Sequence, residues 1–291
     1  MKDSICIVVP IYKPVPNPLE TLSLLQGSRV LASYPLIFVT HPDLDLTCYR
    51  TLCPQAKYVF FNKRYFESID GYNDLMLSRG FYVCFATYEF MLIYQTDAWV
   101  FRDELLEWCA RGYDYIGGLW VETGPRHEIL GGTCGNGGLS LRRVATFLRV
   151  TRKNYRVKGW SDLVASYLHY RGGDPFYLFW YLGTFFPKLL FLILPRLVGF
   201  RNTYDYFRNE DKIGEDRIFV HKILSNRHYR VPNLEEGHGF SWELQLEGLW
   251  TRYGTLPFGC HAWTRDEYFG ERVLDFWKIH MPVPAEPAEA Q

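Results

Sequence analysis

The first residue whose place invites chemistry is an acid at the end of an apolar run. Leu92-Ile93-Tyr94 reads as a buried strand, Gln95-Thr96 turns polar, and Asp97 follows with a carboxylate. A hard cation such as Mg²⁺ or Mn²⁺ takes carboxylate oxygen and often shares itself with substrate phosphates. Taken alone, the same acid is better explained as the cap of the next turn. A second acidic point is Gly214-Glu215-Asp216-Arg217-Ile218-Phe219. Ile218, Phe219, Ile223 and Leu224 have helical spacing, so Glu215 and Asp216 fall in a first helical turn, where negative charge is favoured. Capping accounts for them. So does a general base, with Asp216 aimed at an acceptor hydroxyl. The pair Glu210-Asp211 ranks behind, because no apolar helix follows it directly.

Two further stretches could meet a ligand. Gly131-Gly132-Thr133-Cys134-Gly135-Asn136-Gly137-Gly138 is rich in residues that let backbone approach closely. It lacks the strand–turn–helix setting of a dinucleotide fingerprint and the Gly-Lys-Ser/Thr of a Walker loop. Its plain reading is a mobile loop joining two strands. Pro257-Phe258-Gly259-Cys260-His261-Ala262-Trp263 sets one histidine among glycine and aromatics. Such a histidine is more often structural, and it could equally offer neutral imidazole to a metal.

The elements that must position these residues alternate. Strands are expected at 5–9, 36–40, 57–61, 90–94, 113–116 and 139–141. Helices are expected at 19–31, 73–85, 104–110 and 215–224, and 240–243 and 260–263 read as loops or short strands. Alternation of this kind implies an α/β fold with a largely parallel sheet. Ligands of such sheets sit beyond the carboxyl ends of the strands. Pro10, Thr40, Asn62 and Asp97 fall there.

Composition narrows the classes. The chain has 291 residues, 48% of them hydrophobic and 18% aromatic, which supports a packed core in one domain over 1–281. Lys+Arg and Asp+Glu are both 32, so the basic surplus of a nucleic-acid binder is missing. The seven cysteines show no zinc-like spacing and read as reduced thiols. The short apolar start at 5–9 does not read as a signal peptide, so the expected location is the cytoplasm. The Pro/Ala/Glu-rich tail at 282–291 reads as disordered.

Taken in order, these features resemble the GT-A fold of nucleotide-sugar glycosyltransferases. The resemblance covers about residues 4–150 and 206–265. More narrowly, the chain is similar to bacterial and fungal domains long listed as of unknown function. The shared patterns are Tyr-Phe-x-Ser-Ile-x-Gly-Tyr-Asn (65–73), Leu-Ile-Tyr-Gln-Thr-Asp-Ala (92–98), Gly-Asn-Gly-Gly-Leu-Ser-Leu-Arg (135–142) and Pro-Phe-Gly-Cys-His (257–261). The resemblance implies that Asp97 and His261 ligate Mn²⁺ or Mg²⁺. It places Asn136, Gly137 and Gly138 near the donor sugar, and Pro10, Tyr12 and Thr40 near the nucleoside. It makes Asp216 the base, with Glu215 beside it. Gln95 stands where the family's Asp-x-Asp motif has its first acid, which removes one charged ligand. The donor implied is a UDP-sugar, and the acceptor a saccharide or lipid-linked saccharide of surface-polysaccharide synthesis. Inversion at the anomeric carbon is compatible with this base.

An aromatic stretch at 176–200 lies within an apparent insertion at about 160–205. Pro187-Lys188 and Pro195-Arg196 interrupt it, so it reads foremost as two short helices at a membrane surface. A buried hairpin over the active site or a dimer contact are the alternatives, with a true span last. Two other classes remain open: a membrane-associated scaffold that has lost catalysis, and a glycoside hydrolase with two carboxylates.

Overall fold

A computed structural model of the chain describes residues 4–124, 129–155, 214–225 and 228–281. The insertion at 160–205, the Glu210-Asp211 pair and the tail at 282–291 lie outside the described residues.

The centre of the fold is built from short apolar runs. Ile5–Pro10 (β1), Leu36–Thr40 (β2), Lys57–Phe60 (β3) and Phe90–Tyr94 (β4) pair in parallel. Successive side chains of a strand point to opposite faces. In β1, Ile5, Ile7 and Val9 enter one apolar cluster, and Cys6 and Val8 enter the other. In β4 the same division sends Phe90, Leu92 and Tyr94 one way and Met91 and Ile93 the other. A strand buried on both faces reads as a continuous apolar run, which is why these elements were visible in the sequence.

The rest of the sheet is antiparallel. Tyr115–Thr123 (β6) and Ile129–Arg143 (β7) form a long hairpin, and β7 also pairs antiparallel with β4. The six strands run in the order β3-β2-β1-β4-β7-β6. The result is the expected α/β, Rossmann-like mixed sheet flanked by helices. The glycine-rich run at 131–138, read from sequence as a loop, is the body of β7. Pairing with β6 overrides the low strand propensity of glycine here, with register shifts along the ladder.

A second sheet, of three short strands, lies beside the first. Trp99–Val100 (β5) pairs antiparallel with Gly259–Cys260 (β9), and Ser241–Trp242 (β8) pairs parallel with β9. The helices include Pro18–Val30 (α1), whose cap Asn17 forms a reciprocal capping box with Glu20. The helix expected at 73–85 is two helices, Ile69–Leu77 and Arg79–Val83. Ser78 ends the first and caps the second, its hydroxyl accepting from the Phe81 N–H at 3.2 Å. The helix expected at 215–224 begins as Glu215–Ile218 and continues as a π-helical turn, Phe219–Ile223. Among the described residues no helix is long and apolar enough to cross a membrane.

Candidate functional site

Two strand pairings assemble the centre of the site. Antiparallel register sets Trp99 opposite Cys260, and this brings Asp97 and His261, just beyond the pair, together. The backbone repeats the contact, Trp263 N–H reaching the Asp97 carbonyl at 3.4 Å. Parallel register sets Trp242 beside Cys260, so the next residues, Glu243 and His261, are neighbours. The imidazole therefore lies between two carboxylates. His261 Nε2 is 3.2 Å from Asp97 Oδ1, and Nδ1 is 3.1 Å from Glu243 Oε1. Gln95 Oε1 also lies 3.1 Å from Nε2.

The electrostatics follow from this packing. Burial disfavours a charged imidazole, but Asp97 and Glu243 outweigh it and lift His261 to about 10. Burial also pushes the Asp97 carboxyl up. His261, with Arg265 adding to it, more than reverses that and holds Asp97 below the usual carboxylate range. Glu243 is itself buried.

The glycines of β7 make room for these groups. A Cβ on Gly138 would run into the His261 imidazole, and one on Gly137 would lie 2.7 Å from Glu215 Oε1. The Gly138 carbonyl accepts from the Gln95 N–H at 2.9 Å, and its N–H donates to Asn136 Oδ1 at 2.8 Å. The end of β4 is thus tied to the middle of β7 at the level of the acid. The side chain of Gln95 donates to the Tyr72 hydroxyl at 3.1 Å.

The two acids of the 214–219 stretch divide. Asp216 is half-buried, and its Oδ2 accepts from the Gly137 N–H at 3.1 Å. Glu215 is buried, with one oxygen 2.7 Å from Arg142 Nη2. Arg142 is fully buried as well and also donates to the Tyr82 hydroxyl at 2.9 Å and to Ser140 Oγ at 3.1 Å. Burial works against the Arg142 charge, but Glu215 beside it keeps the guanidinium protonated. Burial raises the Glu215 carboxyl against the pull of Arg142. Glu215 is therefore held in a buried ion pair rather than presented as a second base. Its backbone N–H donates to Asn73 Oδ1 at 3.1 Å, which anchors the turn carrying Asp216.

All of this surrounds one cavity of about 560 Å³ at the carboxyl ends of β1 and β4. Pro10, Tyr12, Gln95, Asp97, Asn136, Gly137, Gly138, Glu215, Asp216 and His261 line it. Two residues expected at the ligand-bearing strand ends stay away: Thr40, which is fully buried, and Asn62 line none of the cavity. Tyr72 and Asn73 join the site although their only signal in the sequence is the 65–73 pattern. Arg142 closes the 135–142 pattern without a role of its own, and Glu243 and the cavity-lining Arg265 carry no signal.

Residues 55–261 match the family described as "Protein of unknown function (DUF5672)". The chain belongs to that family. No curated protein matches the chain. Among solved structures, A197 from STIV is similar at 13% identity over 52% of this chain and 70% of that one, TM-score 0.31. The 4-diphosphocytidyl-2C-methyl-D-erythritol synthase of Anaerococcus prevotii DSM 20548 is 12% identical over 57% of this chain and 83% of that one, TM-score 0.32. A cytidylyltransferase from Leptospira borgpetersenii serovar Hardjo-bovis is 9% identical over 52% and 63%, TM-score 0.32. Likenesses this distant carry no argument about what this DUF5672 member does.

Proposed function

We propose that the chain is a glycosyltransferase that moves a sugar from a nucleoside-diphosphate sugar, UDP-linked by expectation, to a hydroxyl of a saccharide or lipid-linked saccharide. The observation that supports this best is the meeting of Asp97, His261, Gly137–Gly138 and Asp216 around one cavity at the carboxyl ends of the parallel strands. These elements come from four separate parts of the chain. Capping explains each acid alone, but not their convergence.

The residues present fit a divalent cation. Asp97 Oδ1 and Gln95 Oε1 lie 3.2 Å and 3.1 Å from His261 Nε2. That is about the separation, roughly 3 Å, of neighbouring ligands on an octahedral cation bound at ~2.1 Å. Glu243 accepts from Nδ1, as a partner that would orient a ligating histidine, and a metal at Nε2 would displace the proton held there against Asp97. Bound there, Mn²⁺ or Mg²⁺ would offset charge developing on the leaving diphosphate.

The chain's own residues do the rest. Asp216 takes the proton of the acceptor hydroxyl as its oxygen bonds to the anomeric carbon. The bond from that carbon to the diphosphate breaks, and the nucleoside diphosphate leaves. The Arg142–Glu215 pair and Asn73 hold the turn of Asp216 in place. Asn136, with the Gly138 N–H bonded to its side chain, shapes the wall beside the sugar.

Gln95 favours the non-catalytic scaffold as a second reading: it stands where the family's motif has an acid, so a cation at Asp97 and His261 would have one charged ligand fewer. The hydrolase reading is weakened, because Asp97 is paired with His261 and Glu215 with Arg142. The deciding experiment is release of UDP from a panel of UDP-sugars in the presence of Mn²⁺ and candidate saccharide acceptors. Turnover that disappears in Asp216→Asn supports the transferase. Turnover equal in Asp216→Asn and wild type contradicts the assigned base.

A further inference from the structure

The cavity walls are acidic. Glu20, Glu67, Asp97, Glu215 and Asp216 all line it, and Arg265 is the only lysine or arginine that does, among the described residues. Two of these acids already have a cation: Lys13 lies 2.8 Å from Glu20, and Arg142 2.7 Å from Glu215. A surface of this sign repels a diphosphate unless positive charge meets it.

Arg265 is placed to do so. Ala262, just after His261, has a left-handed backbone with φ of 56°, which turns the chain back. The Trp263 N–H is tied to the Asp97 carbonyl, the Arg265 N–H to the Ala262 carbonyl at 3.3 Å, and the Leu274 N–H to the Arg265 carbonyl at 3.1 Å. The strap is thus pinned to the backbone of Asp97 itself. The Arg265 guanidinium lies over the Tyr268 ring, 4.3 Å from its centre. Such a stack limits the wandering of a long side chain while leaving its donors open.

Resting on the glycosyltransferase reading, we propose that Arg265 binds the diphosphate of the nucleotide ligand directly, from the Asp97 side of the cavity. A guanidinium presents paired donors to phosphate oxygens and carries a charge that no physiological pH removes. With Gln95 in place of an acid, a cation at Asp97 and His261 has one fewer charged ligand. Arg265 supplies positive charge at the same place by a route that needs no metal.

The test is calorimetric titration of UDP and of uridine, each with Mn²⁺ and with EDTA, into wild type, Arg265→Ala, Arg265→Lys and Asp97→Asn. Arg265→Ala is expected to weaken UDP on the order of tenfold in both buffers, the loss of one charge-assisted phosphate contact. Uridine, which has no phosphate, is expected to bind the variant as it binds wild type, and Arg265→Lys to recover part of the UDP affinity. Unchanged UDP affinity in Arg265→Ala, with Asp97→Asn weakened, overturns the inference and leaves the transferase reading standing. Equal losses for UDP and uridine also overturn it. If wild type binds no UDP in either buffer, and GDP and CDP titrated in the same way also fail to bind, the transferase reading falls and the inference with it.

Discussion

Glu243 Oε1 lies 3.1 Å from His261 Nδ1, and both side chains are buried. A carboxylate only accepts, so the proton of this contact sits on Nδ1. The ring orientation is thereby set, and Nε2 faces Asp97 and the cavity. Glu243→Gln is expected to weaken Mn²⁺ binding by about 10–100-fold, the usual effect of removing the partner of a ligating histidine. Mn²⁺ titration followed by calorimetry checks this. Undiminished Mn²⁺ affinity in the variant would remove Glu243 from the account.

The close approach of Gly138 to His261 makes a steric prediction. Gly138→Ala forces either the imidazole or the β7 backbone to move. The variant is expected to lose about 1–3 kcal/mol of stability, as overpacked sites do. Urea denaturation measures it. Wild-type stability in the variant would mean that the imidazole moves freely.

The buried Arg142–Glu215 pair predicts strong non-additivity. Removing the guanidinium in Arg142→Met leaves a buried carboxylate without its cation, and is expected to destabilise by about 3–5 kcal/mol. The double variant Arg142→Met/Glu215→Leu removes both charges and is expected to recover much of that loss. A double-mutant cycle by chemical denaturation reads the coupling directly. Additive losses would show that the two side chains do not depend on each other.

For Asp216 the expected split is between rate and binding. Asp216→Asn is expected to lower turnover by about 10²–10⁴-fold, the range for a lost general base. UDP affinity is expected to stay at the wild-type value, since the base faces the acceptor. A fall in UDP affinity matching the fall in rate would assign Asp216 to the donor instead.

Much of the sheet was legible because three of its parallel strands, β1, β2 and β4, are buried on both faces. β2 and β4 were delimited by their apolar runs alone, and Asp97 and His261 stood out as polar groups in apolar settings. The partners of the site residues were not legible. Arg142 and Glu215 are 73 residues apart, and Glu243 follows a strand of two residues, too short to leave a pattern. The glycine-rich strand was misread because its stability comes from pairing with β6, which propensity does not record. Glu215 and Asp216 looked equivalent in a first helical turn. Only the burial of Arg142 on one side separates Glu215, held in an ion pair, from Asp216, which accepts from the Gly137 N–H.

The central claim is that this cavity binds a nucleoside diphosphate with help from a divalent cation. A thermal-shift series of UDP, GDP and CDP, each with and without Mn²⁺, on wild type and His261→Ala tests it most directly. The account predicts that UDP raises the melting temperature, that Mn²⁺ increases the shift, and that His261→Ala loses the Mn²⁺ increment. No stabilisation by any of the three nucleotides, with or without Mn²⁺, would contradict it.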